Sequence, residues 1–380
     1  MLPKLLTLCL FVTLIQAQKD KSNKDNDEEQ CTNLKTFTDS SSNTNTNSES
    51  NEKPNVKASK QFTKQNTASK SVPLRPNIIL TLFDDLGYHD LGNYDNVARH
   101  QCKTPVMDHL MSTGVRLQNF YAMPICSPTR AAIMTGRYPI RYGGNCGTPP
   151  GLAADQGWAP LGEPMLAERL RDAGYVTKMA GKWHLGLSTP KVTPTGRGFN
   201  EFFGKYRGGG DHWVHTTDIF ADQKVGSVWP GHPSYVAADG MLDLHHDKWN
   251  KDGTHSHRHI GHMNGTHSTD VITNAAINMI KQHDPQGPPM FLYLAYQAPH
   301  WPVQNPSGTE ERHFGVPLMG KQRRKWCGLV SHIDDNIGRL YAALHAQGMA
   351  DNTLFLALSD NGGDIRTGAS NYPYRGDKMT

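Results

Sequence analysis

The chain has 380 residues, of which 37% are hydrophobic, and its formal net charge is only +4. This length is enough for one large domain, or two smaller ones, with a buried core. The small net charge and the scattered basic residues give no indication of nucleic-acid binding, and we expect no nucleic-acid partner.

Residues 1–17 have the pattern of a secretory signal peptide. Lys4 is followed by an almost wholly apolar stretch, 5–15, and then by the small residue Ala17. That stretch is too short to span a bilayer, and no later segment is apolar for long enough, so we expect no membrane span in the mature chain. We predict entry into the secretory pathway, with the lysosome or the extracellular space as destination. Asn264 begins an Asn-Gly-Thr acceptor, so we expect its glycosylation.

Residues 18–72 are rich in Lys, Asn, Ser, Thr, Asp and Glu. Such a composition cannot bury a core, so we predict a disordered, low-complexity tail, followed by one folded domain over 73–380. Cys9 would leave with the signal peptide, and the remaining cysteines are Cys31, Cys102, Cys126, Cys146 and Cys327. The odd number fits one chemically special cysteine with up to two disulfides, whose pairing the sequence leaves open.

Apolar, β-rich segments alternate with amphipathic helical patterns in the folded part. We predict strands over 77–83, 115–122, 175–180, 289–296 and 352–358. Helices are predicted over 104–114, 128–136, 164–173, 268–282 and 321–347. Such alternation indicates an α/β fold with a mixed or mostly parallel central sheet flanked by helices.

Chemically reactive side chains come directly after several of these strands. In chain order they are Asp84, Asp85, Lys182, His184, His300, Asp360 and Asn361. Ligand sites of open α/β sheets lie at the carboxyl ends of the strands, so we expect these residues to meet in one cleft. Adjacent carboxylates such as Asp84 and Asp85 favour a hard cation between them, although a turn or helix cap is the alternative.

Cys126 lies at the predicted beginning of the helix over 128–136. Ser127 is a good N-cap residue, and Pro128 is tolerated in the first turn. The thiol would therefore lie at the positive end of a helix dipole, with Arg130 one turn inside. A buried or disulfide-bonded structural cysteine is the alternative interpretation.

Residues 126–130 fit the pattern Cys-x-Pro-x-Arg, and 134–137 read Met-Thr-Gly-Arg. Together with Gly-Lys-Trp-His-Leu-Gly at 181–186 and the other strand-end residues, this pattern resembles the type I sulfatase family. The resemblance covers roughly 76–380 and implies an alkaline-phosphatase-like fold. Within the family it looks most like the arylsulfatase B branch, which implies a sulfuric ester hydrolase acting on sulfated N-acetylgalactosamine of glycosaminoglycans or on aryl sulfates.

The resemblance also implies a modified residue and a metal ion. Cys126 would be oxidised to formylglycine by the formylglycine-generating enzyme, and the hydrated aldehyde would be the nucleophile. A calcium ion would be bound by that hydrate and by Asp84, Asp85, Asp360 and Asn361.

Five basic residues complete the implied catalytic site. Arg130 would steady the hydrate, and Lys182 and Lys378 would bind the sulfate oxygens. His300, with Lys378, would bind substrate and protonate the leaving oxygen, and His184 would take a proton from the second hydroxyl.

In the family, the chain continues past the lysine corresponding to Lys378 into a smaller C-terminal subdomain, which we expect to be missing here, so that the catalytic domain is C-terminally truncated. Two alternatives therefore stay open. One is an inactive sulfatase-like protein that binds sulfated glycans, and the other is a phosphoester or phosphonate hydrolase of the same superfamily.

The segment 196–267 is rich in Gly, His and Asp and has only weak periodicity, so we predict a polar loop near the substrate entrance. Its histidines invite a zinc hypothesis: His245, His246, His255, His257, His259, His262 and His267. We favour the loop, because the spacing matches no structural zinc pattern and no cysteine is nearby.

Overall fold

The computed structural model describes residues 75–92, 102–142, 162–187, 189–216, 242–250, 252–261, 263–315 and 319–380, and the backbone of 8–14. The predicted tail, with Cys31, lies outside the described residues, and so does Cys146.

One mixed sheet organises the fold. Its strands are β1 Leu8–Leu14, β2 Asn77–Asp84, β3 Val115–Phe120, β4 Val176–Lys182, β5 Glu201–Lys205, β6 His245–Trp249, β7 His255–His259, β8 Met290–Pro299 and β9 Thr353–Ser359. They lie in the order β3-β1-β9-β2-β8-β4-β5-β6-β7. The strands from β9 to β5 are parallel, and the pairs at both edges are antiparallel. The predicted α/β fold with a mostly parallel sheet is confirmed.

Helices and short 3-10 turns connect these strands. The helices are α1 Pro105–Thr113, α2 Cys126–Thr135, α3 Leu166–Asp172, α4 Ser268–Lys281 and α5 Lys321–Ala346. The 3-10 turns are Pro139–Tyr142, Pro190–Val192, Thr195–Arg197, Glu310–His313, Ala350–Asn352 and Ile365–Thr367.

Both faces of the sheet are covered by apolar clusters. Alternate residues of β8 show this directly, because Leu292 and Leu294 belong to one cluster and Phe291 and Tyr293 to the other. The cluster on the Leu292 side also contains Trp326 and the apolar residues that follow it along one face of α5. A strand buried on both faces reads as a continuous apolar run, which is why the central strands were predictable.

Strand β1 falls within the predicted signal peptide. It pairs antiparallel with β3 on one side and with β9 on the other, so it is the backbone link between β3 and the rest of the sheet. Removal of 1–17 during secretion stays a prediction. None of the helices in the described part of the chain has the length and apolar character needed to cross a membrane. Asn264 lies in an exposed turn, where a glycan has room.

The beginning of one helix, α2, was predicted wrongly in detail. Helix α2 begins at Cys126 with Ile125 as N-cap, and Ser127 makes no capping hydrogen bond. Helix α4 is capped by His267, whose ring accepts a hydrogen bond from the backbone N–H of Thr269. The beginning of α2 thus has no side-chain cap, whereas the beginning of α4 has one.

The segment 196–267 was wrongly predicted to be only a loop, because it contains β5, β6 and β7. The hairpin of β6 and β7 lies at the edge of the sheet and is mostly polar, so no apolar periodicity marked it in the sequence. One disulfide, Cys102–Cys327, joins helix α5 to the segment before α1, and Cys126 is a buried free thiol.

Candidate active site

Polar residues converge where the neighbouring strands β9, β2, β8 and β4 end. These strands are parallel, so the residues that follow them lie at one edge of the sheet. The residues that meet there are Asp84, Asp85, Cys126, Arg130, Lys182, His184, His300, Asp360, Asn361 and Lys378. His300 and Lys378 are half-buried, whereas the other members are buried.

Three carboxylates and an amide form an acidic group at the centre. The Asn361 side chain donates to Asp85 Oδ1 at 2.6 Å, and the Asp85 backbone N–H donates to Asp360 Oδ1 at 3.3 Å. Asp85 has a left-handed backbone, with φ of 68°, which turns the chain sharply after β2. Asp84 Oδ1 and Asn361 Oδ1 are buried and have no hydrogen-bond partner among the described residues. Buried oxygen acceptors without donors are the arrangement that a hard cation would satisfy.

The thiol of Cys126 lies beside this acidic group. Its Sγ and one carboxylate oxygen each of Asp84 and Asp360 lie within 4.8 Å of one another. His184 Nδ1 is 3.3 Å from the same sulfur. Burial raises the pKa of the Cys126 thiol, and burial together with the nearby Lys182 charge lowers the pKa of His184 well below its ordinary value. Both groups are therefore neutral at neutral pH.

Arg130 is a fully buried cation that ties three strand ends together. Its Nε and one terminal nitrogen donate to Asp360 Oδ2 at 3.0 and 2.7 Å. The other terminal nitrogen donates to the backbone carbonyl of Lys182 at 2.8 Å. The terminal nitrogen that bonds Asp360 also lies 3.7 Å from Asp84 Oδ2. Arg130 thus positions Asp360, and its predicted contact with a hydrate at residue 126 stays a prediction.

Two lysines neutralise the adjacent aspartates. Lys182 Nζ contacts Asp84 Oδ2, and Lys378 Nζ lies 2.8 Å from Asp85. Burial alone would raise the pKa of Asp84, but the cations around it, Lys182 foremost, hold it far below its usual range. Burial alone would lower the pKa of Lys378, but Asp85 raises it well above its usual range. Asp84 and Lys378 are therefore charged at neutral pH.

His300 follows β8 at the half-buried side of the site. Its Nδ1–H donates to the carbonyl of Trp301 at 2.6 Å, and its Nε2 lies 3.8 Å from Asp85 Oδ2. Burial and the Lys378 charge lower the pKa of His300. The ring is thus fixed with Nε2 facing the acidic group.

A family model described as Sulfatase matches residues 76–380. The chain belongs to the sulfatase family. Mouse arylsulfatase J is 33% identical over 330 residues, which cover 84% of this chain and 48% of that protein. Human N-acetylgalactosamine-6-sulfatase is 33% identical over 331 residues, which cover 82% of this chain and 55% of that protein. The chain thus spans about half the length of the curated sulfatases that it matches.

Solved sulfatase structures have the same fold. Ps i-CgsB, solved in complex with k-i-k-neocarrahexaose, is 30% identical with a TM-score of 0.65, covering 80% of this chain and 63% of that one. PsFucS1 sulfatase from Pseudoalteromonas sp. is 26% identical with a TM-score of 0.61, covering 80% and 59%. The predicted alkaline-phosphatase-like fold of the sulfatases is confirmed.

The sulfatase residues predicted from the sequence all lie in this one cluster, although one local detail differs. The predicted strand ended at residue 180, whereas β4 continues to Lys182, and His184 then has a left-handed backbone with φ of 57°. The turn brings the His184 ring to Cys126 and leaves it packed against Gly208, where a Cβ atom would lie 2.5 Å from the ring. A side chain at position 208 would clash with this ring, so glycine is needed there.

Two residues that support this candidate site, Lys205 and His212, carry no sequence motif. Lys205 Nζ donates to Gln297 Oε1 at 2.6 Å and to the carbonyl of Gly209 at 3.0 Å, and burial lowers the pKa of Lys205 to about 8. His212 lies 3.2 Å from the carbonyl of His300 through Nε2, so it supports that backbone. Lys205 is the last residue of β5, just as Lys182 is the last residue of β4. Its place at the site could therefore have been predicted only if β5 had been recognised as a strand.

Buried neutral histidines predict that this sulfatase loses stability in acid. The rings of His212 and His267 stack at 4.9 Å, and burial lowers their pKa values to about 3 and about 2. The unfolded chain takes up these protons below the ordinary value of 6.5, whereas the folded chain does not. Their contribution is therefore fully present above that pH and falls by about 1.4 kcal/mol per pH unit below it for each ring.

Denaturant unfolding between about pH 7 and about pH 5 checks this slope. His267→Gln should have a shallower dependence of the free energy of unfolding on pH, because one buried ring is gone. An unchanged slope in this variant would contradict the assignment.

Proposed function

We propose that this chain hydrolyses sulfate monoesters. The observation that carries the proposal is a buried cluster at the carboxyl edge of the sheet, in which the Cys126 side chain lies beside the carboxylates of Asp84 and Asp360, with Lys182 and Lys378 next to the adjacent aspartates. Such a site suits an anionic ester. The two lysines and a bound cation can neutralise the charge on the sulfate oxygens while a nucleophile at residue 126 approaches the sulfur atom.

Residue 126 would supply the nucleophile. Oxidised to formylglycine by the formylglycine-generating enzyme, it would offer a hydrated aldehyde whose hydroxyl attacks sulfur. His184 suits the proton transfers at this position, because its Nδ1 lies 3.3 Å from the Cys126 sulfur, where the hydroxyls would replace the thiol. Its lowered pKa keeps the imidazole neutral and able to accept a proton.

Asp84, Asp85, Asp360 and Asn361 fit a calcium ion. Two of their oxygens are buried without donors, and all are the hard ligands that calcium prefers. Bound there, calcium would polarise the sulfate and stabilise the charge that develops on its oxygens. Arg130 fixes the orientation of Asp360 through two hydrogen bonds, so that its other oxygen faces the acidic group.

The half-buried side of the site suits the leaving group. Lys182 and Lys378 would bind sulfate oxygens, since both ammonium groups already point into the acidic group. His300 lies beside Lys378 and Asp85, with Nε2 in position to pass a proton to the departing oxygen once the ring is protonated.

A sulfated carbohydrate is the substrate class that we propose. Relatives named N-acetylgalactosamine-6-sulfatase, together with Ps i-CgsB and its bound k-i-k-neocarrahexaose, support this class. Sulfated N-acetylgalactosamine of glycosaminoglycans is the specific proposal, with aryl sulfates as model substrates. The 4-sulfatase activity of the arylsulfatase B branch stays a prediction, and so does delivery to the lysosome or the extracellular space.

The test is turnover of 4-nitrocatechol sulfate by the full chain produced in a eukaryotic secretory host. We expect turnover of the sulfate, and a much lower rate on 4-nitrophenyl phosphate. A faster rate on the phosphate would favour the phosphohydrolase alternative. Binding of sulfated glycans without any turnover would favour the inactive alternative.

Removal of the metal is expected to lower that turnover by at least about a hundredfold, because one source of charge stabilisation is lost. Dialysis against a calcium-selective chelator, followed by assay with and without added Ca²⁺, measures the effect. Full activity in the chelated, metal-free protein would contradict the calcium proposal while leaving sulfate hydrolysis itself standing.

A further inference from the structure

Three histidines meet on the outer hairpin of the sheet, away from the catalytic site. In the antiparallel register of β6 and β7, His245 lies opposite His259 and Asp247 lies opposite His257. Residues two apart in a strand share a face, so all three imidazoles lie on one side of the hairpin. One ring nitrogen from each lies within 4.8 Å of the other two.

Neighbouring carboxylates set the free nitrogen of two of these rings. His257 Nδ1–H donates to Asp247 Oδ1 at 2.5 Å, which leaves Nε2 with its lone pair. His245 Nε2–H donates to Asp243 Oδ1 at 3.1 Å, which leaves Nδ1. His245 is only 7% exposed, and its Nδ1 has no hydrogen-bond partner among the described residues. A buried acceptor left without a donor is costly and indicates a ligand for this nitrogen.

We propose that His245, His257 and His259 bind a transition-metal dication, with Zn²⁺ as the expected occupant. Imidazole suits zinc and its first-row neighbours, whereas calcium and magnesium prefer oxygen ligands. Carboxylates behind ligating histidines are the usual way in which the ring orientation and tautomer are fixed. Three protein ligands leave a fourth tetrahedral position for water.

The exposed rings give the site an entry path. His257 has a side-chain exposure of 43%, and His259 is also exposed, so both can rotate by the small amount that ligand distances require. The buried His245 would then be the fixed ligand. The spacing of these residues matched no zinc motif because two strands, rather than one helix or loop, supply them.

A second group of similar composition has no comparable unused nitrogen on its buried histidine. His267, Asp270 and His332 also approach one another. Both ring nitrogens of His267 are already used, since Nδ1 accepts from the Thr269 backbone and Nε2 lies 3.0 Å from the Gln304 carbonyl. That group is explained by packing and capping, whereas the hairpin group has an unused buried nitrogen.

The hairpin site is connected to the loop beside the catalytic centre. Asp243, which holds the His245 ring, also accepts hydrogen bonds from the backbone N–H groups of Tyr206 and Arg207. The chain then runs into the loop at Gly208 that packs on His184. A bound metal would therefore stiffen the hairpin that supports this loop.

Equilibrium dialysis of the full chain against ZnCl₂, with bound zinc measured by mass spectrometry, tests the proposal. The Cys126→Ala background removes the catalytic thiol as a competing zinc ligand. In this background we expect one tightly held equivalent of zinc. The double substitution His257→Gln and His259→Gln should remove that equivalent, or weaken its binding by at least about a hundredfold.

His255→Gln is the matched control, because this exposed histidine is on the same strand but bonds to Thr195 Oγ1 instead. It should bind zinc like the background protein. The double variant alters exposed side chains, and its circular dichroism should match that of the control. Its metal-free thermal stability should be somewhat lower, because His257 also donates to the buried Asp247. Zinc binding that is unchanged in the double variant, or absent from the background protein, would overturn the proposal. Either result is independent of whether the chain hydrolyses sulfate esters.

Discussion

Cys126→Ala is expected to lower turnover of an aryl sulfate by at least about a thousandfold, because alanine cannot be converted to the formylglycine that supplies the nucleophile. The remaining cations could still bind the sulfate, so the substrate would be held without being cleaved. Steady-state kinetics with 4-nitrocatechol sulfate measure the loss in kcat. A non-hydrolysable analogue of the sulfate ester should therefore bind the variant and the wild-type chain with similar affinity.

The variant should fold normally, because one small buried side chain that contacts His184 is replaced by a slightly smaller one. We expect a loss of about 1 kcal/mol in the free energy of unfolding. Thr135→Ser, at the far end of the same helix α2, is the control and should keep full activity. A Cys126→Ala protein that retains a tenth or more of the activity, as an order of magnitude, would refute nucleophilic catalysis at this residue.

Arg130→Met should have the second large effect, this time on stability as well as activity. Arg130 and Asp360 are both fully buried, and their closest contact is 2.7 Å. Removing the cation leaves the Asp360 carboxylate, and in part that of Asp84, without its partner in a dry site. Breaking a buried ion pair in this way costs about 3–5 kcal/mol. Denaturant unfolding measures the loss, and turnover should fall with it because Asp360 is no longer oriented.

Arg137→Met is a matched control, since the Arg137–Glu163 contact has the same distance of 2.7 Å but involves side chains that are 53% and 26% exposed. An exposed pair of this kind contributes about 1 kcal/mol or less. Equal destabilisation by the two substitutions would mean that the burial of Arg130 has no energetic consequence, and the account of its positioning role would be wrong.

The central part of the fold was predictable from the sequence because its strands are buried on both faces. The segment Met290–Pro299 is an almost unbroken apolar run that ends in His300, and Asn77–Asp84 ends in the paired aspartates. Once these runs are taken as parallel strands, their ends must share an edge. The positions of Asp84, Asp360 and His300 then follow without knowledge of any contact.

The outer part of the sheet was not predictable, because its strands are not buried on both faces. Strands β6 and β7 are polar, so nothing distinguishes them from a loop until their partner strands are known. The histidine cluster depends on the cross-strand register of His245 and His259, which sequence spacing does not contain. Lys205 contacts Gln297 and His212 contacts the His300 backbone, so both residues act on the site only indirectly. Such indirect contacts depend on the packed structure and leave no pattern in the sequence.

Mass spectrometry of the tryptic peptide 117–130, taken from an active preparation made in a eukaryotic secretory host, tests the central claim most directly. The account predicts that Cys126 has lost its sulfur and carries an aldehyde that reacts with a hydrazide probe, in a fraction that tracks specific activity on 4-nitrocatechol sulfate. An active preparation in which this peptide contains only the unmodified cysteine would contradict it.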